Sequence, residues 1–374
     1  MPKESLPDIR LPADLLPSDG RFGSGPSKVR SDAVAALAAA APTYLGTSHR
    51  QPPVKSVVAR LRAGLHELFA LPPGYEVLLG NGGTTVFWDA ATFGLIERRS
   101  QHLEFGEFSA KFAAAAAAAP FLEAPHVIAS RPGTHPAPVA RDDIDLYAFT
   151  HNETSTGVAM EVRRVGQGLV AVDATSAAGG LRVDPEQFDC YFFAPQKCFG
   201  SDGGLWVALC SPAAIERIER IAAGDRWVPT SIDLKVALDN SRLDQTYNTP
   251  ALATLFLFLD QVEWINRNGG LEWAAGRCDK SAGALYGWAD GSTSARPYVE
   301  NPSERSHVVG TIDLDDQIDA LTVAKVLRAN GIVDTESYRK LGRNQLRIGM
   351  FPAIEPDDVA TLTAAIDFTI SALG

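Results

Sequence analysis

Three short apolar runs follow one another in the middle of the chain: L-V-A-V-D (169–173), Y-F-F-A (191–194) and L-W-V-A-L-C (205–210). Two similar runs, V-I-A (127–129) and L-Y-A-F-T (146–150), precede them. Strands that are apolar along almost their whole length occur in sheets that are covered on both faces. These runs therefore predict an α/β fold in which helices cover both faces of a central sheet.

The C-terminal part of the chain carries a different pattern. Residues 250–289 have mainly helical periodicity, and the segments after them follow a β-α-β-β-α order. In sequence, these segments are H-V-V-G-T-I-D-L (307–314), 317–330, G-I-V-D (331–334), N-Q-L-R-I-G-M-F (344–351) and 356–372. The order predicts a compact α+β unit. We therefore expect an N-terminal arm over 1–20, a large domain over 21–262 and a small domain over 263–374.

Length and charge narrow the class of protein. The 374 residues exceed the usual size of one hydrophobic core, which predicts two domains. The chain contains 34 basic and 45 acidic residues and has a formal net charge of −11. Nucleic acids and anionic membranes need a basic face that neutralises their phosphates, so we expect neither as a partner.

The sequence also carries information on location and metal content. The apolar run 251–259 is nine residues long, whereas a membrane-spanning helix needs about 20. The N-terminus lacks the apolar core of a secretion signal. The cysteines Cys190, Cys198, Cys210 and Cys278 form no C-x-x-C pair, and no histidine lies at zinc-ligand spacing from two of them. We expect a cytoplasmic protein with reduced thiols and no metal site.

One lysine has an unusual sequence environment. Lys197 lies in F-F-A-P-Q-K-C-F-G-S-D-G-G-L (192–205), directly after an apolar strand and before a glycine-rich turn. Poor solvation lowers the pKa of an amine and makes the neutral amine available as a nucleophile. Such lysines form Schiff bases with carbonyls, including that of pyridoxal phosphate. A solvated lysine in a surface loop fits this local pattern equally well.

Two further segments favour the interpretation of Lys197 as a nucleophile. Asp173 ends the strand L-V-A-V-D, 24 residues before Lys197, and α/β proteins bind ligands at the C-terminal ends of parallel strands. A carboxylate there could keep the ring nitrogen of pyridoxal phosphate protonated; an Asp that caps the next segment is the alternative. G-N-G-G-T-T (80–85) joins a strand to a helix, and free N–H groups at a helix N-terminus bind phosphate. By itself this motif is weak, since most glycine-rich turns bind nothing.

Eight motifs are spread over essentially the whole chain. They are F-G-S-G-P-S (22–27), G-T-S-H-R (46–50), G-N-G-G-T-T-V-F-W (80–88), H-N-E-T-S-T-G (151–157), V-D-A-T-S (172–176), A-P-Q-K (194–197), Y-N-T-P (247–250) and G-R-N-Q-L-R (342–347). Together they resemble the phosphoserine aminotransferases, which are fold-type I pyridoxal phosphate enzymes, and above all their actinobacterial branch. The resemblance implies a large domain with a mostly parallel seven-stranded sheet covered by helices, and a smaller α+β C-terminal domain.

The resemblance implies cofactor-binding roles for residues in these motifs. Lys197 would form the Schiff base with pyridoxal 5'-phosphate, and Asp173 would bind its ring nitrogen. The other implied cofactor contacts are Thr84, Thr85, Gln196, Asn248 and Thr249 at the phosphate, Thr154 at the ring hydroxyl and Phe108 on the ring face. Phe108 stands where many relatives have a stacking tryptophan, with ordinary core packing as the alternative. We expect Trp88 to be a core residue.

Substrate recognition would need cations, because the family's substrates, L-glutamate and 3-phosphohydroxypyruvate, carry several negative charges. Arginine binds carboxylates and phosphates through two parallel hydrogen bonds. His49 and Arg50 match the family's S-H-R motif, and Arg347 matches its α-carboxylate arginine. The family's His–Arg pair shortly before that arginine is absent here. The open candidates for the substrate phosphate are Arg339, Lys340 and, as the weakest, Arg343.

The family's reaction yields O-phospho-L-serine and 2-oxoglutarate, a step in serine biosynthesis. For this chain the resemblance implies ping-pong transamination by a homodimer, in which Asn248 and Thr249 complete the other subunit's site. Another fold-type I aminotransferase, of the serine–glyoxylate or alanine–glyoxylate type, is one alternative, although its substrates would leave the basic residues at 339–347 without a phosphate. A non-catalytic protein that binds a metabolite at G-N-G-G-T-T is the other.

Overall fold

The computed structural model describes residues 7–374, in which ten α-helices and twelve strands are present. The strands are β1 (Glu76–Asn81), β2 (Ser100–Glu104), β3 (His126–Ala129), β4 (Leu146–Thr150), β5 (Asn152–Glu153), β6 (Val158–Ala159), β7 (Leu169–Asp173), β8 (Cys190–Phe193), β9 (Leu205–Cys210), β10 (Ala295–Pro297), β11 (Val309–Leu314) and β12 (Gln345–Gly349). The helices are α1 (Ser31–Tyr44), α2 (Pro52–Leu68), α3 (Thr84–Gly94), α4 (Glu107–Ala118), α5 (Pro212–Ala222), α6 (Leu234–Arg242), α7 (Leu252–Arg267), α8 (Gly270–Gly291), α9 (Ala320–Ala329) and α10 (Pro356–Leu373). None of these helices has the length and apolar character needed to cross a bilayer.

The central sheet has seven strands in the order β1-β9-β8-β7-β4-β2-β3. The pairs from β8 to β3 are all parallel, and β9 is antiparallel to both of its neighbours, β8 and β1. Six strands therefore point one way and only β9 runs against them. The predicted mostly parallel seven-stranded sheet is confirmed.

Alternate residues of the central strands enter two separate cores. In β8, Tyr191 and Phe193 pack with α2 and α7 on one face of the sheet. Cys190 and Phe192 of the same strand pack with α3, α4, α5 and α6 on the opposite face. Successive side chains of a strand point to opposite faces, so a strand buried on both sides is apolar at most positions unless its polar groups are hydrogen-bonded, as Ser100, Gln101 and His102 of β2 are. This is why the strand runs in the sequence show no polar alternation.

The strand ends bring the chemistry-bearing residues together. Thr150, the last residue of β4, is the register partner of Asp173 at the end of β7, which in turn pairs with Phe192 of β8. Lys197 follows β8 after a short turn. Because β4, β7 and β8 are parallel, their carboxyl ends lie at one edge of the sheet, the usual ligand-binding edge of an open α/β sheet.

A second, smaller core lies in the C-terminal part of the chain. A three-stranded antiparallel sheet, β10-β11-β12, packs with α8, α9 and α10. The expected α+β unit is present, but its strand pattern differs: G-I-V-D (331–334) forms only an isolated bridge between Val333 and Arg21. The third strand is the short β10 instead. Val333 pairs with residues 20–22, where the arm meets the large domain: its N–H donates to the Gly20 carbonyl, and its carbonyl accepts from the Phe22 N–H.

The two cores meet along α8. Ala274, near its start, packs in the core on the α2 and α7 face of the large sheet, whereas Ala282 and Leu285 pack in the small C-terminal core. The arm also belongs to this region, since Leu11 is buried in the small core. The division into domains at residue 263 stays a prediction; α8 is where apolar contacts pass from one core to the other.

Candidate active site

A cavity of about 420 Å³ opens at the carboxyl edge of the central sheet. It is lined by Gly25, Pro26, Thr84, Thr85, Trp88, Phe108, Thr150, Asn152, Thr154, Asp173, Thr175, Gln196, Lys197, Asp202 and Gly203. Seven residues singled out from the sequence as cofactor contacts are therefore in one place: Thr84, Thr85, Phe108, Thr154, Asp173, Gln196 and Lys197. The volume is that of a pocket for a small organic molecule.

Lys197 is almost fully buried at this cavity, with 9% of its surface exposed. Its Nζ donates to the carbonyl oxygen of Ser24 at 2.5 Å. Burial, with a further contribution from the charge of Arg347, lowers the pKa of Lys197 from 10.5 to about 8. The surface-loop alternative is excluded, and a substantial fraction of this amine is neutral near physiological pH.

The contact between Lys197 and the N-terminal segment requires a glycine. Gly25 has a φ of +127°, and a Cβ at this position would lie 2.3 Å from the lysine Nζ. Only glycine adopts this conformation without strain and leaves room for the amine. The motif F-G-S-G-P-S therefore forms one wall of the lysine's pocket.

Asp173 faces the same cavity and is 2% exposed. Its Oδ1 accepts from the backbone N–H of Thr175 at 3.0 Å and from the Thr175 hydroxyl, and its Oδ2 accepts from Trp88 Nε1 at 2.8 Å. Burial raises the pKa of Asp173, while the bonds from Thr175 and Trp88 and the charge of Lys197 act in the opposite direction. Trp88 is buried as predicted, but no sequence pattern indicated its hydrogen bond to this carboxylate.

The glycine-rich turn places two threonines at a helix N-terminus. Gly83 caps α3, and Thr84 and Thr85 are its first two residues. The first N–H groups of a helix have no acceptor within the helix and can bind an anion together with the two hydroxyls. Gln196 completes this side of the cavity from the segment that carries Lys197.

Two buried amide oxygens at the cavity have no hydrogen-bond partner among the described residues. They are Gln196 Oε1 and Asn152 Oδ1. Buried polar atoms are normally paired, so unpaired ones at a cavity indicate a polar ligand. With a helix N-terminus for a phosphate, a carboxylate for a protonated ring nitrogen and an amine for an aldehyde, the residues present fit pyridoxal phosphate.

The N-E-T motif (152–154) contributes Thr154 to the cavity and fixes the position of Phe108. Thr154 Oγ1 donates to Ser176 Oγ at 2.7 Å. Phe108 is half-buried and lines the cavity, so it is not an ordinary core residue. Its backbone N–H, like that of Ser109, donates to the buried carboxylate of Glu153 at the start of α4. Glu153 fixes the first turn of this helix, a role that the sequence analysis missed.

Arg347 approaches from the small sheet. It lies on β12, and its Nη1 donates to the carbonyl oxygen of Thr154 at 3.4 Å. The guanidinium carbon is 5.3 Å from the ring centroid of Tyr338, and its buried Nε has no partner among residues 7–374. Burial lowers the pKa of Arg347, which still remains charged at any physiological pH. Arg347 is half-buried and does not itself line the cavity, but its unpaired Nε lies beside Thr154, which does, and can donate to a carboxylate there.

The three candidate phosphate cations have different surroundings. Arg343 forms an ion pair with Asp313, and its guanidinium carbon lies 4.5 Å from the ring centroid of Tyr298. Lys340 forms an ion pair with Glu107 of α4. Arg339 is exposed and makes no ion pair with any of the residues that the structure describes. None of the three lines the cavity.

The remaining predicted residues form a separate surface patch. Thr249 Oγ1 is 3.2 Å from His49 Nδ1, and Arg50 Nη2 donates to the carbonyl oxygen of Tyr247 at 3.4 Å. Arg50, Asn248 and Thr249 are exposed, and none of the patch residues lines the cavity. The motifs G-T-S-H-R and Y-N-T-P are thus brought together across 200 residues of sequence, but not at the cavity of their own chain.

Comparison with known proteins gives consistent matches. A model of the class-V aminotransferase family matches residues 136–335. A phosphoserine aminotransferase of Nocardioides sp. is 60% identical over 370 residues, which are 98% of this chain and 99% of that protein. A putative phosphoserine aminotransferase of Mycobacterium leprae is 57% identical over the whole length of both chains. A crystal structure of a phosphoserine aminotransferase from Cytophaga hutchinsonii superposes with a TM-score of 0.85, covering 94% of this chain and 99% of its own at 24% identity, and bears on the fold alone.

Proposed function

Because the chain belongs to the phosphoserine aminotransferases, within the class-V aminotransferase family, we propose that it transfers the amino group of L-glutamate to 3-phosphohydroxypyruvate and releases 2-oxoglutarate and O-phospho-L-serine. The observation that carries the proposal is the meeting of Lys197 and Asp173 in one cavity at the ends of neighbouring strands. A glyoxylate aminotransferase would use the same pair, so the choice between these enzymes depends on the phosphate.

The cofactor of the family is pyridoxal phosphate, which when bound supplies a ring that withdraws electrons from the reacting carbon. Thr84 and Thr85 hold its phosphate at the N-terminus of α3, together with Gln196. Asp173 accepts from its ring nitrogen, and the carboxylate keeps that nitrogen protonated. Phe108, which lines the cavity, would cover the ring, and the Thr154 hydroxyl, which donates to Ser176 in this structure, would be available to the ring hydroxyl.

Lys197 holds the cofactor and, once released from it, moves the reacting proton. Its Nζ, once neutral, would take the proton from Cα of the bound amino acid and hold it for return, which would be general acid–base catalysis by one group. The efficiency of such a group is greatest when its pKa lies near the working pH, and the pKa of Lys197, about 8, meets that condition. The Ser24 carbonyl orients the amine toward the cavity.

Arg347 recognises the α-carboxylate that both substrates share. Its Nε is unpartnered and its Nη1 bond of 3.4 Å is long, so two donors are available for a bidentate pair. Binding both substrates through one arginine also explains how the two halves of the reaction use the same pocket.

Arg339 is our choice for the substrate phosphate among the three candidates. Arg343 already has Asp313 as its counter-ion, and Lys340 has Glu107. Recruiting either cation would leave an acidic side chain without its partner, whereas Arg339 has no such pair among the described residues.

We further infer that the enzyme is a homodimer in which the patch of His49, Arg50, Asn248 and Thr249 completes the cavity of the other subunit. Arg50, Asn248 and Thr249 are exposed on their own chain, and none of the four residues lines that chain's cavity, although Asn81 of the glycine-rich turn donates to the Thr249 carbonyl. A cytoplasmic location is also proposed, since all four cysteines are buried and free.

A substrate comparison tests the reaction. Purified enzyme with pyridoxal phosphate and L-glutamate is assayed with 3-phosphohydroxypyruvate, hydroxypyruvate and glyoxylate as acceptors. We expect kcat/KM to be at least about a hundredfold higher for the phosphorylated acceptor, because a bound phosphate contributes charge-assisted hydrogen bonds that the others lack. Equal or better use of glyoxylate would instead establish the glyoxylate aminotransferase.

A subunit-mixing experiment tests the shared site. Lys197→Ala and Arg50→Ala chains are each weakly active or inactive, and they are mixed after mild dissociation. If Arg50 serves the other subunit, each hybrid dimer has one intact site, and activity recovers to about a quarter of the wild-type value. If Arg50 serves its own chain, no hybrid has an intact site and activity does not recover.

A further inference from the structure

The indole N–H of Trp88 makes a hydrogen bond to the carboxylate of Asp173, the proposed partner of the cofactor's ring nitrogen. Its Nε1 donates to Asp173 Oδ2 at 2.8 Å, while Thr175 occupies the other carboxylate oxygen. Trp88 is 4% exposed, lines the cavity, and packs its ring against Phe112 with the two ring planes 17° apart. The bond is therefore shielded from water, where a hydrogen bond to a charged acceptor has its largest effect.

Trp88 also belongs to the helix that holds the phosphate end of the site. It follows Thr84 by four residues and Thr85 by three on α3, and residues with these spacings share one face of a helix. All three side chains line the cavity. One rigid turn of helix therefore links the phosphate-binding threonines to the carboxylate at the end of β7.

The charged and titratable groups around Asp173 leave Trp88 a distinct role. Lys197 faces it across the cavity and stabilises its charge, and the buried phenol of Tyr191 lies on the neighbouring strand β8. Thr175 is attached two residues from Asp173 and moves with it. Trp88 is the donor that comes from a different element, so it sets where Oδ2 lies relative to the rest of the site.

We propose that Trp88 is a positioning residue, which through its indole N–H holds the Asp173 carboxylate in register with the phosphate-binding turn on the same helix. The proposal rests on the function proposed above and adds a role for a residue that contributes nothing to catalysis by direct proton transfer. Trp88 thereby fixes the distance between the phosphate-binding turn and Asp173, which must match the distance between the phosphate and the ring nitrogen of the ligand.

Two tryptophan variants separate this role from simple packing. Trp88→Phe removes the indole N–H and keeps an aromatic ring. Trp206→Phe is the matched control, because Trp206 is 2% exposed, packs in the same core, and has an Nε1 without a partner among the described residues. Both variants lose the same atoms from one core, but only the first removes a donor from Asp173.

Binding to the cofactor-free protein is the readout, measured by calorimetric titration. The probe is pyridoxine 5'-phosphate, which carries the ring and the phosphate but no aldehyde for Lys197. We expect Trp88→Phe to raise its Kd about tenfold or more at neutral pH, and Trp206→Phe to change it less than twofold. Without the indole donor, the pKa of Asp173 rises and its carboxylate is protonated at a higher pH. The ratio of the Trp88→Phe Kd to the wild-type Kd should therefore increase as the pH falls.

An analogue with carbon in place of the ring nitrogen gives the decisive comparison. Its Kd should be nearly the same for Trp88→Phe and wild type, since it has no ring nitrogen for Asp173 to bind. Adding Trp88→Phe to Asp173→Asn should likewise change the Kd for pyridoxine 5'-phosphate little. If Trp88→Phe weakened the binding of both ligands equally, Trp88 would act through packing alone. The same would follow if Trp88→Phe and Trp206→Phe raised the Kd for pyridoxine 5'-phosphate equally.

These measurements stand apart from the test of the reaction. If the acceptor assay identified a different aminotransferase, the binding results for Trp88 would be unaffected, because they involve no amino-acid substrate. If the wild-type protein bound neither probe, the proposed function itself would fail together with the cavity assignment.

Discussion

The proposed cofactor pocket and the proposed substrate-recognition segment before β12 are built in opposite ways. At the sheet edge, Asp173 and Lys197 are almost fully buried, and their hydrogen bonds are made to fixed neighbours in the same fold. In the segment that precedes β12, the side chains of Lys340 and Arg343 are 58% and 40% exposed and bind acidic groups of other elements. The first region is held by buried hydrogen bonds, whereas the second is exposed and leaves only Arg339 without an ion-pair partner among the described residues.

This difference predicts where substitutions have large effects. In a buried site, a lost group leaves an unpaired neighbour in a medium of low polarity, which costs several kcal/mol. An exposed ion pair contributes only about 0–1 kcal/mol, since water and salt replace it. Substitutions at the sheet edge should therefore affect activity more than those in the exposed segment.

The largest effect is expected at Lys197. Lys197→Ala removes the group that both holds the cofactor and transfers the proton, so kcat should fall about a thousandfold or more. Borohydride reduction followed by peptide mass spectrometry should find the cofactor on Lys197 in the wild type and on no residue of the variant. Transamination at near wild-type rate in the variant would overturn the assignment of the whole pocket.

Arg347 should come next. Arg347→Gln removes a half-buried cation that forms no ion pair with the described residues, and kcat/KM for L-glutamate should fall about a hundredfold, because the carboxylate loses its charge-assisted hydrogen bonds. Arg296→Gln, an exposed arginine on β10 of the same small sheet, is the control and should behave as the wild type. Similar kinetics for the two variants would exclude Arg347 as the carboxylate ligand.

A smaller and more selective effect is expected at Arg339. Arg339→Gln should raise KM for 3-phosphohydroxypyruvate about tenfold and leave KM for L-glutamate unchanged, because the site is exposed and only one substrate carries the phosphate. Arg343→Gln, whose guanidinium pairs with Asp313, should raise neither KM more than twofold. If Arg343→Gln raised KM for 3-phosphohydroxypyruvate more than Arg339→Gln did, phosphate binding would be assigned to Arg343 instead.

The smallest effect concerns pH. Covalent attachment of pyridoxal phosphate to the cofactor-free protein needs the neutral amine, and the pKa of Lys197 is about 8 rather than 10.5. The attachment rate should rise about fivefold between pH 7 and 8 and level off above 9, as the neutral fraction does. A rate that still climbs tenfold per pH unit at pH 9 would show an ordinary, hydrated lysine.

Much of the fold was predictable because buried strands have a recognisable apolar sequence pattern. The apolar strand runs were identified correctly, since strands covered on both faces are mostly apolar, whereas β2, whose sequence is S-Q-H-L-E, carried no such signal and was missed. G-I-V-D was misassigned because four residues of this type suit a strand or a bridge equally well, and the partner, Arg21, lies more than 300 residues away.

Within the site, the residues that belong to local motifs were predictable and those that act at a distance were not. Thr84, Thr85 and Lys197 stand in turns whose chemistry is visible in a few letters. Trp88 and Glu153 could not be assigned, because their partners, Asp173 and the first turn of α4, are 85 and 44 or more residues away. A tryptophan in a helix and an acid beside a threonine carry no local signal of such bonds.

The sequence by itself indicated a sheet covered on both faces and most of its strands, and it singled out the amine, the carboxylate and the glycine-rich turn that are proposed to bind the cofactor. Only the tertiary structure decided that these groups face one cavity, that Trp88 and Thr175 share the oxygens of Asp173, and which cations are already neutralised by Asp313 and Glu107. The reason is physical: backbone preference and burial act between near neighbours in the chain, whereas hydrogen bonds and charges act between atoms that folding brings together.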